Sequence, residues 1–148
     1  MARVVLLDAG TLGMVAHPKA NLEVATWLLN LLAAGTSVKV PEISDYEVRR
    51  NLILEKKDRS IQRLNELASD IGYEPLSTEA MRVAAQLWAD ARRKGLPTAD
   101  KHALDADVIL GAQATILQRQ GFHSVVATDN VGHLGRYTEA RRWSDIRA

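Results

Sequence analysis

The chain has 148 residues, of which 47% are hydrophobic and 25% are charged, a composition typical of a globular protein. It contains no cysteine, which excludes disulfides, thiolate chemistry and a cysteine-bound zinc site. The net charge of +1 does not indicate a general polyanion binder, although a local basic surface would suffice for nucleic acid. The sequence shows neither a signal peptide nor an apolar run of the roughly 20 residues that span a membrane, so we expect one cytoplasmic domain over residues 1–148.

The first part of the chain alternates apolar runs with helical patterns. Residues 3–7 form a β-rich apolar run that predicts a buried strand, and this run stops at Asp8. Asp8 precedes a glycine-containing stretch, so it is either a turn residue or a carboxylate presented at the end of a strand. Helical spacing of apolar residues follows over 20–34. A second short strand over 37–40 stops at Pro41, which is favoured in the first turn of a helix.

The helix that follows Pro41 carries an acid beside its apolar face. Glu47 lies three and four residues from Arg50 and Asn51, spacings at which side chains on a helix are neighbours. One interpretation is therefore an ordinary surface pair between Glu47 and one of these residues. The other is that Glu47 reaches toward the end of the sheet. Residues 56–71 continue as a polar helix or helical pair.

The second half of the chain has the same alternation. Residues 73–76 predict a weak third strand, and a helix is expected over 78–94 with a positively charged last turn. Residues 95–103 are interpreted as a loop. An apolar, alanine-rich helix then runs from Asp105 to about Gln120.

This alanine-rich helix has two acids near its predicted start. Asp105 is a suitable N-cap, and Asp107 would then fall in the first turn. Gly111, Ala112 and Ala114 would let the helix lie close against a sheet, and a helix that is apolar almost all round is buried. A carboxylate near the start of a buried helix needs a compensating partner, which other acids cannot supply without a cation.

The last part of the chain repeats the arrangement found at Asp8. Residues 124–127 predict a fourth strand, which is followed closely by Asp129. A short turn or helix and a last edge strand are expected beyond it. Strands that alternate with helices at this spacing predict an α/β protein, a three-layer α/β/α sandwich with a mostly parallel central sheet.

Four acids are expected to meet at one edge of this sheet. Asp8 and Asp129 follow parallel strands, Asp107 enters from the same edge, and Glu47 can reach in from its helix. Bare carboxylates at such close quarters repel one another. Mg²⁺ and Mn²⁺ prefer carboxylate and water ligands and would relieve this repulsion. Such ions can activate a water for displacement at a phosphate.

The order and context of these acids resemble the PIN domain, the metal-dependent nuclease fold of virulence-associated protein C (VapC) toxins. No single segment is specific, but all four occur in order on the expected elements, and the resemblance covers nearly the whole chain. The segments that carry it are Leu-Leu-Asp-Ala-Gly at 6–10, Tyr-Glu-Val-Arg-Arg-Asn-Leu at 46–52, Asp-Val-Ile-Leu-Gly-Ala-Gln-Ala at 107–114 and Val-Ala-Thr-Asp-Asn at 126–130.

The resemblance implies a catalytic and metal-binding quartet of Asp8, Glu47, Asp107 and Asp129. It implies a Mg²⁺- or Mn²⁺-dependent endoribonuclease that acts on RNA as the toxin of a type II toxin–antitoxin pair. A tightly bound antitoxin and a homodimer would then be expected. The apolar faces of residues 20–34 and 78–91 also favour a homodimer, because they exceed what one sheet face can cover.

Three further residues are expected to support the quartet. Thr128 matches a position that often has a hydroxyl in PIN domains. The family commonly has Ser, Thr or Asn two residues after the first acid, where this chain has Gly10, with Thr11 next. Asp105 is an additional acid, and residues two apart on a helix do not face the same way, so Asp107 is the better candidate ligand.

A competing hypothesis is a PIN-like RNA- or protein-binding module that is catalytically silent, although the intact acid set favours the enzyme. The four histidines are interpreted as surface residues or as supports behind the ligands, because they lie on different elements. Basic residues near the acids could position RNA phosphates. These residues are Arg49, Arg50, Arg92, Arg93, Lys94 and Arg136.

Overall fold

The computed structural model describes residues 2–19, 21–95 and 101–148, with residues 101–104 described by backbone alone. In chain order its elements are β1 (Arg3–Leu7), α1 (Ala9–Ala16), α2 (Leu22–Ala33), β2 (Ser37–Pro41), α3 (Glu42–Leu54), α4 (Asp58–Asp70), β3 (Tyr73–Glu74), α5 (Thr78–Arg93), α6 (Lys101–Arg119), β4 (His123–Ala127), α7 (Val131–Leu134), β5 (Ala140–Arg141) and a 3₁₀ turn (Trp143–Asp145). Within these ranges, no helix combines the length and the apolarity needed to cross a membrane.

The five strands form one parallel sheet in the order β3-β2-β1-β4-β5. The central strand β1 pairs on one side with β2, where Val5 is opposite Val38, and on the other with β4, where Val5 is opposite Val125. The chain leaves β1 toward β2 and returns to β4 on the opposite side. The carboxyl ends of β1 and β4 therefore flank the point at which the strand order reverses, the place where open α/β sheets bind ligands.

Helices cover both faces of the sheet, which confirms the predicted three-layer architecture. Val5 and Leu7 of β1 pack in a core with residues of α1, α2 and α4. Val4 and Leu6 point to the other face and pack mainly against α6. The alternation follows from the two-residue period of a strand, and both sets are apolar because both faces are covered.

Asp8 does not end β1 in a turn; it begins a helix. The backbone N–H of Thr11 donates to Asp8 Oδ1 at 2.8 Å, which makes Asp8 the N-cap of α1. Gly10 and Gly13 lower the intrinsic helix propensity of this stretch, which is why the pattern resembled a turn. The apolar residues of α1 pack against the sheet and supply the stability that propensity does not.

The predicted start of the alanine-rich helix is wrong. Helix α6 begins at Lys101, so Asp105 is not its N-cap and Asp107 is not in its first turn. A helix does not need to begin at a capping residue when the preceding residues are compatible with helix. The predicted loop over 95–103 therefore overlaps the helix, and its residues 96–100 lie outside the described part of the chain.

Two other boundaries differ from the sequence prediction. Pro41 is the last residue of β2, so α3 begins one residue later, at Glu42. Proline lacks an N–H but keeps its carbonyl, and Pro41 is paired with Glu74 in the parallel ladder. The polar segment over 56–71 is one helix, α4, preceded by exposed charged residues.

The small residues of α6 serve two different contacts. Ala114 packs against the sheet, as predicted, in the cluster that contains Val4 and Leu6. Ala112 instead packs against α5, in a second cluster with Ala84. Gly111 lies against Tyr137, its nearest side chain, which is not part of a strand. The small residues of α6 thus allow close packing against α5 and Tyr137 as well as against the sheet.

Adding a methyl group at Gly111 is expected to destabilise the fold. A Cβ built there would lie 2.7 Å from Tyr137 Cβ, a contact that requires the surrounding elements to move apart. Gly111→Ala should therefore lower the free energy of unfolding by about 1–3 kcal/mol in urea titrations, the usual cost of overpacking. Gly13→Ala in α1 is the matched control, since a Cβ there meets nothing within 4 Å. It should stabilise by roughly 0.5–1 kcal/mol, and equal effects at both positions would contradict this packing.

Candidate metal site

The four acids predicted from sequence lie on elements that meet at the carboxyl edge of the sheet. Asp8 directly follows β1, and Asp129 comes two residues after β4. Glu47 is on α3, and Asp107 is on α6. Helix α3 packs against both α1 and α6, which brings the segments that carry the first three acids side by side.

Asp8 is held in place by the two central strands. Its backbone N–H donates to the carbonyl of Ala127 at 3.1 Å, joining the end of β1 to the end of β4. The buried hydroxyl of Thr11 donates to the same carbonyl at 3.0 Å, while the Thr11 N–H caps Asp8 Oδ1. Thr11 therefore fixes both the Asp8 carboxylate and the strand ends beside it, a structural basis for the supporting role expected from sequence.

Glu47 is partly buried and lies within electrostatic reach of two other acids. Its pKa is raised from the ordinary value of 4.5, first by burial and then by the charges of Asp107 and Asp8. The guanidinium of Arg50 opposes this increase. Glu47 thus lies within electrostatic reach of Arg50 as well as of Asp107 and Asp8, and its assignment to the acid group stays a prediction.

Asp107 has both acidic and basic side chains within electrostatic reach. Burial raises its pKa above 3.8, and the charge of Asp8 raises it further. His133 and Arg136 act in the opposite direction and favour the carboxylate. His133 is in α7, and Arg136 follows that helix, so the segment after Asp129 brings basic side chains near Asp107. No periodic pattern in the sequence predicts this placement, and the short distance from Asp129 along the chain is the only indication of it.

The remaining predicted residues differ in exposure and in contacts. Asp129 is exposed. The buried Thr128 accepts a hydrogen bond at Oγ1 from the N–H of Asn130 at 2.8 Å, which shapes the turn that carries Asp129. Asp105 is exposed and lines a groove between α5 and α6 that also contains Trp88.

A divalent cation needs several oxygen ligands that lie close together. In the described part of the chain, no three acidic or histidine side chains are grouped closely enough to hold a metal ion as they stand. The donor chemistry nevertheless fits Mg²⁺ or Mn²⁺. Asp8, Glu47 and Asp107 offer only carboxylate oxygens, and their charges act on one another through a partly buried space.

The sheet order and the flanking helices define a PIN-like α/β/α fold, and known structures share it. No protein-family profile and no curated protein sequence matches the chain. A chain in the crystal structure of VapBC2 from Rickettsia felis, bound to a DNA fragment from their promoter, superposes with a TM-score of 0.75 at 16% identity. The match covers 95% of this chain and 98% of that one.

Two further structures give the same result. FitAcB from Neisseria gonorrhoeae matches with a TM-score of 0.68 at 20% identity, covering 96% of this chain and 99% of that one. VapBC-1 from nontypeable Haemophilus influenzae matches with a TM-score of 0.71 at 12% identity, with coverage of 96% and 99%. The resemblance to VapC-type PIN domains is thereby confirmed for the fold, over nearly the full length of each chain.

Proposed function

We propose that this chain is a divalent-metal-dependent endoribonuclease. The observation that carries the proposal is the mutual influence of Asp8, Glu47 and Asp107 at the carboxyl edge of the sheet. Two of these carboxyl groups have pKa values raised by burial and by neighbouring acids, so gathering their charged forms at this edge costs stability. Sites that maintain such repulsion are candidates for function, because stability alone would favour neutral side chains there.

Asp8, Glu47 and Asp107 would hold the ion, with Asp129 contributed by the loop after β4. The side chains would have to converge further than they do in the present structure to share it. Bound Mg²⁺ or Mn²⁺ supplies an activated water and offsets the negative charge that develops on the phosphate.

The chain's own residues orient the acids and the RNA. The Thr11 N–H and the Ala127 carbonyl fix Asp8. Arg136 places positive charge near Asp107, where it can attract an RNA phosphate. Arg50 does the same beside Glu47.

Two of the basic residues suggested from sequence are already engaged. Arg49 forms two hydrogen bonds of 3.0 Å with the Asp45 carboxylate, a bidentate pair one turn away on α3. Arg93 lies 3.6 Å from Asp90 on the exposed side of α5. Arg49 and Arg93 are therefore the weaker candidates for phosphate contacts.

The biological role that we infer is the toxin of a toxin–antitoxin pair. Its fold neighbours are VapBC and FitAB complexes, so an antitoxin is the expected protein partner. We also retain the homodimer as a proposal. Helix α2 leaves Leu29 65% exposed, and α5 leaves Met81 46% and Trp88 39% exposed, which are apolar surfaces that a second copy could cover.

A catalytically silent PIN-like binding module is the second candidate. The specific observation in its favour is that the described acids do not converge on a common point. A silent module would bind RNA or protein through the same surface, but this binding would not depend on metal.

Cleavage of a mixed-sequence single-stranded RNA in Mn²⁺ tests the nuclease proposal. Glu47→Gln should slow cleavage by more than about 100-fold, because an amide cannot supply the charge that holds the ion. Glu66→Gln is the matched control, since Glu66 is exposed on α4, and it should cleave as the parent does. Cleavage that persists in chelator, or that is unaffected by Glu47→Gln, would contradict the proposal. An inert parent that still binds RNA would favour the silent module.

A further inference from the structure

A groove of about 490 Å³ lies along α3 beside the acid group. This volume falls within the range of pockets that bind small organic groups. The groove is mostly apolar, and its charged lining residues are Glu42, Asp45, Arg49 and Arg50. It is lined in part by Ile43, Tyr46, Arg50, Ile53, Tyr73 and Leu76.

Tyr46 and Arg50 form a stacked pair in this groove. The Arg50 guanidinium carbon lies 5.2 Å from the centre of the Tyr46 ring, within the range of a cation–π contact. Tyr46 is 57% exposed, although a large aromatic side chain gains stability from burial. The pair thus presents an aromatic ring and a guanidinium plane to solvent, the two surfaces on which proteins stack unpaired bases.

The pair is continuous with the acid group. Arg50 is four residues from Tyr46 and three from Glu47, so on the helix it is a neighbour of both. Its charge lowers the pKa of Glu47, which places the guanidinium within electrostatic reach of that carboxylate. Arg49 has no comparable role, because it is bound to Asp45.

The opposite wall of the groove is fixed by hydrogen bonds. The Leu76 N–H donates to Glu42 Oε1 at 2.9 Å, and the Tyr73 hydroxyl donates to Glu42 Oε2 at 3.4 Å. Burial and the charges of Asp45 and Glu42 raise the pKa of Tyr73 to about 12, so its hydroxyl stays protonated at any ordinary assay pH. The groove is therefore formed before a ligand arrives, which reduces the entropy lost on binding.

We propose that Tyr46 and Arg50 hold the nucleotide of single-stranded RNA that flanks the scissile phosphodiester. The base stacks on the exposed surface of the pair, and the guanidinium pairs with the adjoining phosphate. This proposal rests on the proposed nuclease function and adds a base-stacking subsite to it, which only an unpaired base can occupy, since duplex RNA keeps its bases stacked on one another.

Fluorescence polarisation with a labelled ten-nucleotide single-stranded RNA tests this, in a Glu47→Gln background so that the RNA is not cut. Tyr46→Leu should weaken binding by about tenfold, whereas Tyr46→Phe should bind as the background protein does. Arg50→Gln should also reduce the slope of log affinity against log salt by about 0.7, because one phosphate contact is lost. Leu54→Ala, 79% exposed on the same helix, is the control and should change neither quantity.

The competing occupant of the groove is a second copy of the chain. Sedimentation of the same variants separates the two, because Tyr46→Leu would then change the oligomeric mass, and that result would overturn the proposal. Unchanged RNA affinity in Tyr46→Leu would also overturn it, whether or not the parent cleaves RNA. If the parent fails to cleave but binds RNA in a Tyr46-dependent way, the stacking pair stands and the nuclease proposal falls.

Discussion

Asp107→Asn is expected to raise the melting temperature of the metal-free protein while it abolishes RNA cleavage. The raised pKa of Asp107 means that its charged form is less favourable in the folded chain than in the unfolded one. Asparagine removes that charge, the repulsion from Asp8 and the cost of burying a carboxylate. An increase of a few degrees in chelator at pH 7.5 is the expected result, since about 1 kcal/mol moves a domain of this size by roughly 2–8 °C.

The same stabilisation should depend on pH in a defined direction. A carboxyl group whose pKa is raised by folding binds protons more readily in the folded state. The destabilisation caused by the charged Asp107 is therefore absent below its ordinary pKa of 3.8 and develops as the pH rises through the folded pKa. The difference in melting temperature between parent and Asp107→Asn should shrink as the pH falls toward 4 and reach its full size once the pH exceeds the folded pKa.

Asp70→Asn, at the exposed end of α4, is the control for the loss of one negative charge. It should leave RNA cleavage unchanged and lack the pH dependence described for Asp107. A melting temperature that falls in Asp107→Asn would mean that His133 and Arg136 compensate the carboxylate fully. The site would then be a stabilising ion-pair network, and the functional interpretation of Asp107 would be wrong.

Mn²⁺ should raise the free energy of unfolding of the parent, and substitution of one of the acids should remove most of this increase. A ligand that binds only the folded state at 100 times its Kd adds about 2.7 kcal/mol to the free energy of unfolding. That corresponds to an increase in Tm of roughly 5–20 °C for a chain of this length. The ion would also relieve the repulsion among Asp8, Glu47 and Asp107. The increase in Tm is therefore measured relative to metal-free buffer at matched ionic strength.

Glu47→Gln and Asp107→Asn should each lose most of this Mn²⁺-dependent increase, whereas Glu66→Gln should retain it. Differential scanning fluorimetry across a Mn²⁺ titration gives the comparison directly. An equal increase in all variants would show that Mn²⁺ acts elsewhere on the chain, and no increase in the parent would show that the acids do not hold the ion.

Much of the edge of the sheet was predictable from the sequence, because it follows from where strands end. The runs 3–7 and 124–127 stop one and two residues before an acid, and parallel strands place their ends together. Asp8 and Asp129 could therefore be assigned to one edge of the sheet from the sequence, without knowledge of any tertiary contact. The apolar character of both runs also indicated that helices would cover both faces.

Other features depend on tertiary contacts that produce no periodic pattern in the sequence. Helix α1 has two glycines, and its stability comes from packing on the sheet rather than from propensity. The start of α6 was placed four residues late because Asp105 resembles a cap. The proximity of His133 to Asp107 arises from the position of α7, which the sequence does not specify.

Diffraction from crystals soaked in Mn²⁺ tests the central claim most directly, through the anomalous signal of the ion. The account predicts one strong peak at the carboxyl edge of the sheet, with carboxylate oxygens of Asp8, Glu47 and Asp107 at about 2.1 Å, the distance expected for a small hard cation. The same soak of Asp107→Asn crystals should show the peak lost or much weakened. A peak bound to other residues, or an empty edge at saturating Mn²⁺, would contradict the assignment of these acids as a metal site.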